Sequence, residues 1–262
     1  MRFFLAAFTL WRREQTRFFR QGSRVFGAFA QPLIFWALFG SGLRSSFRPP
    51  VGSGQMEYMQ YFFPGTVVLI LLFTAIFSTI SVIEDRKEGF LQGVLVAPVP
   101  RTALVLGKVL GGTTLAVLQG TLVLALAPLA GIHLGPASFA AGIAIQSLVA
   151  FALTALSFCI AWRMDSTQGF HAIMTVFLMP LWLLSGAFFP ASGVPGWLGF
   201  LMKINPLTYG VAALRRVLYK GDPSVLGDLP RAGFCLAITA LFAAVTFTLA
   251  VGLARRRGVE GR

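Results

Sequence analysis

The chain is 262 residues long, 56% hydrophobic and 12% charged, with 26 phenylalanines and a mean hydropathy of +0.76. That composition is too apolar for a soluble domain that must cover its own surface, so the chain reads as an integral membrane protein. A formal net charge of +13 would suggest nucleic acid in a soluble chain. Here the basic residues cluster at the ends of apolar stretches, where they set orientation, and nucleic-acid binding is set aside.

Residues 1–24 read as an amphipathic helix at the membrane surface. Arg13, Arg17, Arg20 and Arg24 recur on one face, and Phe4, Phe8, Trp11 and Phe18 on the other. The arginines can meet anionic lipid headgroups while the aromatics sink into the interface. A plain solvated helix is the alternative, and the bulky aromatics disfavour it. The apolar run from Phe3 to Trp11 is too short to span and leads directly into Arg12 and Arg13 with no small-residue cleavage signature, unlike a removable signal peptide.

Residues 25–262 read as a single domain of six transmembrane helices, near 25–43, 61–83, 109–130, 138–162, 169–189 and 232–254. About 20 helical residues cross a hydrocarbon core of ~30 Å. With the amino terminus placed in the cytoplasm, fifteen Lys and Arg fall inside and seven outside, which puts both termini on the cytoplasmic side. Pro32, Pro64, Pro128 and Pro180 predict kinks. Gly107, Gly111, Gly112, Ala116 and Gly120 form a small-residue stripe that lets backbones approach closely, within one subunit or between two. Cys159 and Cys235 lie in apolar company and read as packing residues.

Five charged residues, Glu84 to Glu88, interrupt this pattern. No Asp, Glu, Lys or Arg occurs from Tyr58 to Ile83 or from Val109 to Trp162, so the run connects spans 2 and 3 at a water interface. Glu84, Asp85 and Glu88 are expected to open a short helix, stabilised by the positive end of its dipole. Phe90, Leu91, Val94 and Leu95 then give it an apolar face, and Pro98 and Pro100 end it. The 84–100 segment is either a docking element for a soluble protein or an ordinary charged interfacial loop.

A second irregular segment follows span 5, over 190–230. Pro190, Pro195 and Pro206 divide it, and Trp197–Met202 and Leu207–Leu218 are each too short to cross. They read as two short helices lying at or dipping into the outer face, joined at Asn205 and Pro206.

By this layout no span contains an ionisable Asp, Glu, Lys or Arg. Ion-coupled transporters carry such groups within the bilayer, which disfavours a secondary transporter. His171 and His133 sit at a span end and in a short turn, and read as surface or interface residues. No HExxH, ligand cluster or GxSxG pattern points to an enzyme, and Gly107–Lys108 lacks the leading glycine of a P-loop. No cofactor or metal is expected on this chain.

The stretch EDRKEGFLQGVLVAPVPRTALVLGKVLG resembles the signature region of ABC type-2 transporter permeases, related to drug-resistance and nodulation-factor exporters. The stretch LSGAFFPASGVPGWLGFLMKINPLTYGVAALR is similar to that family's segment after span 5. The resemblance implies an all-α permease that exports cargo from a bacterial inner membrane, working as a dimer, most simply a homodimer. Two partner ATP-binding cassette subunits would carry ATP and Mg. It further implies that Glu84, Asp85, Arg86, Glu88, Gly89, Phe90 and Leu91 form a coupling helix seated on the ATPase, and that the first helix is an interfacial elbow. The segment holding Pro190, Trp197, Asn205, Pro206 and Tyr209 would be re-entrant. The cargo class is amphipathic or lipid-linked: a drug, lipid or glycan. The alternatives are an ion-gradient-driven secondary transporter and a nontransporting membrane scaffold.

Overall fold

The computed structural model describes residues 2–42, 57–191, 194–220 and 229–256. Its helices in chain order are α1 (Arg2–Arg20), α2 (Gly22–Gly42), α3 (Tyr58–Lys87), α4 (Phe90–Val96), α5 (Arg101–Leu124), α6 (Pro136–Ala161), α7 (Thr167–Trp182), α8 (Gly196–Ile204), α9 (Pro206–Leu218) and α10 (Ala232–Arg256). A 3-10 turn, Ala127–Ala130, follows α5, and a π-helical turn, Leu183–Ala187, extends α7.

Five of these helices are long and apolar enough to cross a membrane: Tyr58–Lys87, Arg101–Leu124, Pro136–Ala161, Thr167–Ala187 and Ala232–Arg256. The expected first span coincides with α2, whose 21 residues are not among those five.

α3 is the axis of the bundle, packed against α2, α5, α6 and α7. Phe62, Phe63 and the run from Leu69 to Leu72 are wholly buried. Its 30 residues extend ~45 Å at 1.5 Å each, about 15 Å more than a hydrocarbon core. The charged residues expected to leave this helix therefore continue it. Glu84 and Asp85 lie in its last turns. Lys108 likewise sits inside α5 rather than before it. The ionisable groups assigned to a connector thus belong to the ends of two spanning-length helices.

The small-residue stripe packs within the chain. A Cβ on Gly107 would stand 2.7 Å from the Ala7 carbonyl oxygen, and one on Gly111 would stand 2.7 Å from Glu14 Cβ, so both glycines seat α1 on α5. Gly112 faces Ser78 and Thr154, and Gly120 faces Gln146 and Leu71, bringing α5 against α3 and α6. Close backbone approach of this kind drives helix association where lipid removes the hydrophobic gain. Several polar side chains in the bundle are satisfied locally, although Gln146 Oε1 and Ser157 Oγ have no partner among the described residues. Thr113 and Thr154 each donate to the carbonyl four residues back at 2.7 Å, Thr74 bonds Gln119, and Gln146 Nε2 donates to Thr121 Oγ1 at 2.5 Å.

The first helix ends at Arg20, and the chain turns at Gln21 before α2. Arg24 therefore belongs to α2 instead of continuing the stripe of Arg13, Arg17 and Arg20, and its side chain lies outside the described residues.

Candidate functional site

At one end of the bundle α1, α3 and α5 meet through charge. Asp85, with no side-chain exposure, accepts from Arg13 through two bonds of 2.8 and 2.7 Å, from Arg17 Nη1 at 2.5 Å, and from Lys108. Lys108 Nζ, 3% exposed, also donates to Glu14 Oε1 at 2.5 Å, and Ser81 Oγ donates to Glu14 Oε2 at 2.5 Å. Arg17 reaches Glu84 at 2.8 Å and Glu88 at 3.4 Å. Three cations (Arg13, Arg17, Lys108) thus face three close carboxylates (Glu14, Glu84, Asp85), with Glu88 at the rim.

Such a cluster is tolerated out of water because every member has several partners. Carboxylates at a helix carboxyl terminus oppose the helix dipole, so Glu84 and Asp85 depend on these cations. The Arg17 guanidinium is partly buried, which lowers its pKa; attraction to Asp85, Glu84 and Glu88 outweighs this and raises it overall.

The expected headgroup contacts of Arg13 and Arg17 are therefore replaced by ion pairs within the chain. Phe4 and Phe8 do lie on an exposed face, 75% and 55% accessible. Trp11 stacks on Phe8 and donates Nε1 to Thr114 Oγ1 at 3.0 Å. Arg20 is exposed.

The acids do not open the short helix. Gly89, in the left-handed region at φ 77°, breaks the chain after Glu88, and α4 begins at Phe90. A Cβ at that φ is disfavoured, so glycine suits this corner. α4 presents Gln92, Gly93 and Val96 outward while Leu91 is buried, 3% exposed, against the bundle. Phe90 lies under the Arg13 guanidinium, 3.7 Å from ring centroid to Cζ. Arg86 points away from α4 and donates to the Met164 carbonyl at 2.9 Å, to Asp165 at 3.0 Å and to the Trp162 carbonyl. Among the residues expected to meet a partner directly, Asp85 and Arg86 are committed within the chain, whereas Glu88 and one face of α4 remain accessible.

Between α1 and α4 runs an apolar groove of about 710 Å³, lined by Leu5, Leu10, Phe90, Val94, Pro98 and Val99 among others. Beside it lies a basic cleft of about 630 Å³ bordered by Arg12, Arg13, Arg17, Arg20 and Glu88.

At the opposite end the bundle is closed by aromatic rings and backbone bonds. Tyr58, Phe62, Trp182 and Phe188 pack together, with Phe62–Phe188 centroids 5.7 Å apart. The π-helical turn at the end of α7 contains Gly186 at φ 75°. Its carbonyl accepts from Tyr61 Oη at 2.9 Å and from Arg215 Nη2 at 3.1 Å. Arg215, 6% exposed, also donates to the Tyr61 carbonyl at 3.3 Å and lies 4.1 Å from that ring's centroid, while its Nε has no partner.

The short helices α8 and α9 fall where the sequence places them. Asn205 joins them, accepting from Leu207 N at 2.9 Å and donating to the Leu181 carbonyl at 2.6 Å, and Pro206 starts α9. Tyr209 donates to the Lys203 carbonyl at 2.7 Å, Trp197 is exposed and Pro190 partly so. Residues 192–193 and 221–228 of the expected 190–230 segment lie outside the described residues.

The sequence reading missed Lys108 as a partner of Asp85 and Glu14 and Ser81 as partners of Lys108, and it counted Arg215 only among the outer-side cations. Glu14 stood out as the acid among the α1 arginines. Its helical offset from Arg13 turns it toward α5, a signal the charge pattern contained.

The family model for the ABC-2 type transporter matches residues 6–219. The chain is 28% identical over 253 residues to Nodulation protein J of Sinorhizobium fredii, covering 95% of this chain and 92% of that protein. It is 29% identical over 175 residues to the probable multidrug ABC transporter permease YbhR of Escherichia coli, covering 63% of this chain and 45% of that protein. It is 25% identical over 223 residues to the inner membrane transport permease YadH of Escherichia coli, covering 81% and 82%. A match spanning α1 through α9 and taking in both ends of the bundle means that this chain belongs to the ABC-2 type transporter family.

Proposed function

We propose that this chain is the membrane permease subunit of an ATP-binding cassette exporter, working with a separate subunit that binds and hydrolyses ATP with Mg. It would move amphipathic or lipid-linked cargo out of the cytoplasm. A relative named for multidrug transport supports a drug-like cargo, and one named for the inner membrane supports that location. In this reading the chain crosses the bilayer six times, α2 included, as one of two copies, and α8 and α9 form a re-entrant segment on the outer side. Both termini are cytoplasmic, in keeping with the basic residues at the amino-terminal helix and with Arg255 and Arg256 at the end of α10.

The observation that carries the reading is the way α4 is mounted. Its outer face is accessible, it joins α3 through a left-handed Gly89, and Arg13 binds its root to α1 and α3 at once through Phe90 and Asp85. A partner pressing on α4 would displace α3 and, through Lys108, α5, without any ionisable group deep in the bundle. Glu88 and the groove between α1 and α4 offer that partner polar and apolar contacts.

Copurification from native membranes tests this. A P-loop protein should be recovered with the chain, and transport in vesicles should stop when ATP is removed. Transport that persists without nucleotide and collapses with the ion gradients would replace this reading with a secondary transporter. No flux at all, with a stable assembly, would indicate a scaffold.

A further inference from the structure

The two grooves beside α1 divide its arginines into two classes. Arg13 and Arg17 are consumed by Asp85 and Glu84. Arg12 and Arg20 are exposed and, among the described residues, have no side-chain partner. Both line the basic cleft of about 630 Å³, together with the hydroxyls of Thr9 and Thr16 and the amide of Gln21; Glu88 is its acid. The cleft follows the helix for three turns, because positions 9, 12, 13, 16 and 20 share a face. The adjoining face carries exposed Phe4, Phe8 and Phe19, at 75, 55 and 56%. Exposed aromatics on a helix with basic residues beside them set that helix at the level of lipid headgroups.

We infer that this cleft is a binding site for the phosphate-bearing headgroup of an anionic phospholipid, with Arg12 and Arg20 as its ligands; the Thr9 and Thr16 hydroxyls, which line it, donate to the Leu5 and Arg12 carbonyls. The inference rests on the permease reading only in placing α1 at the membrane surface. Charge complementarity selects the occupant. The acids that could satisfy Arg12 and Arg20 from within the chain are already bound to Arg13, Arg17 and Lys108, so the cleft keeps a positive surplus. A phosphate accepts several hydrogen bonds at once, and a guanidinium matches its geometry. Seating a headgroup there holds α1 against the bilayer next to the Arg13 and Arg17 clamp, which gives lipid composition a grip on the α1–α3–α5 joint.

The test is native mass spectrometry of the detergent-solubilised protein with phosphatidylglycerol and phosphatidylcholine added in equal amounts. The wild-type protein should retain phosphatidylglycerol preferentially. Each of Arg12→Gln and Arg20→Gln should lower that preference about fivefold and the pair roughly 30-fold, at ~1 kcal/mol per basic residue near an anionic surface. Arg163→Gln, which removes an exposed arginine at the end of α6, should leave it unchanged. Since neither guanidinium has a side-chain partner among the described residues, the double variant should unfold at the wild-type temperature.

Preference unchanged in the double variant, or lost equally in Arg163→Gln, would overturn the site. Displacement of the lipid by inorganic phosphate alone would show that the cleft takes free phosphate. Lipid preference that survives while no P-loop partner is recovered would leave the site standing and sink the exporter reading.

Discussion

Replacing Asp85 by Asn is the sharpest perturbation of the charged joint, because it changes one atom and no volume. The carboxylate accepts from Arg13 twice, from Arg17 and from Lys108, and its side chain has no exposure. Asn offers one acceptor oxygen and turns an NH2 donor toward groups that are themselves all donors. The negative charge also disappears from beside three cations, leaving Lys108 with Glu14 and Ser81. Removing one partner of a buried ion pair costs about 3–5 kcal/mol. The upper end is expected here, since charge-assisted bonds contribute about 1.5–3 kcal/mol each and at least two lose their acceptor. Thermal unfolding in detergent, followed by tryptophan fluorescence, should show the midpoint falling by on the order of 10 °C. Replacing Lys108 by Met and Glu14 by Leu together should recover most of the loss seen in Lys108→Met alone, because an apolar pair of similar volume avoids desolvating charge. An Asp85→Asn midpoint within a degree or two of wild type would refute the argument that this carboxylate holds the joint.

Three further substitutions probe the surrounding geometry. Gly111→Leu places a side chain where a Cβ already meets Glu14 Cβ at 2.7 Å; it should cost about 1–3 kcal/mol and expose the α1 arginines to trypsin, and unchanged digestion would show that α1 does not rest on α5. Gly89→Val forces a β-branched residue to φ 77°, at ~1–2 kcal/mol; ATP hydrolysis by the assembled complex should persist while transport per ATP falls, and normal coupling would show that the corner at Gly89 is not needed for it. Arg215→Met removes the donors to the Tyr61 and Gly186 carbonyls, and Arg215→Lys should not restore them, since one ammonium cannot replace the planar fork that also lies on the Tyr61 ring. Hydrogen exchange at residues 183–187 should rise in both variants, and unchanged protection in either would show that Arg215 does not hold this turn.

The long apolar helices and the two short elements after α7 were legible because each rests on local signals: apolar length, and a proline after Asn205; the corner at Gly89 was not, because the acids before it read as the start of a helix. What hid was where the helices end relative to the bilayer. Charge was read as the end of a helix, yet Glu84 and Asp85 continue α3 because α1 supplies their countercharges from some 70 positions earlier in the chain. Lys108 was assigned to a connector for the same reason. A window of apolar residues measures the hydrocarbon, and the helix that fills it can run two turns beyond. Arg215 escaped because its partners are backbone carbonyls, of Tyr61 in α3 and of Gly186 in the π-helical turn, which no side-chain pattern announces.

The bundle's two ends are held by opposite strategies, and the difference bears on which end can move. At the aromatic end, Arg215 and Tyr61 donate to the Gly186 carbonyl and Tyr58 to the Phe188 carbonyl. Each bond joins a side chain to backbone, so separation would leave unsatisfied groups wherever water is excluded. At the charged end the bonds run between long side chains that share acceptors. Arg17 reaches Glu84, Asp85 and Glu88, and Lys108 reaches Glu14, Ser81 and Asp85. A cluster with more acceptor positions than any one cation uses can exchange partners as helices slide, never exposing a bare charge. Motion delivered to α4, as the proposed coupling requires, would meet low resistance where it enters the bundle and would pass through α3 to an end that must open as a unit or stay shut.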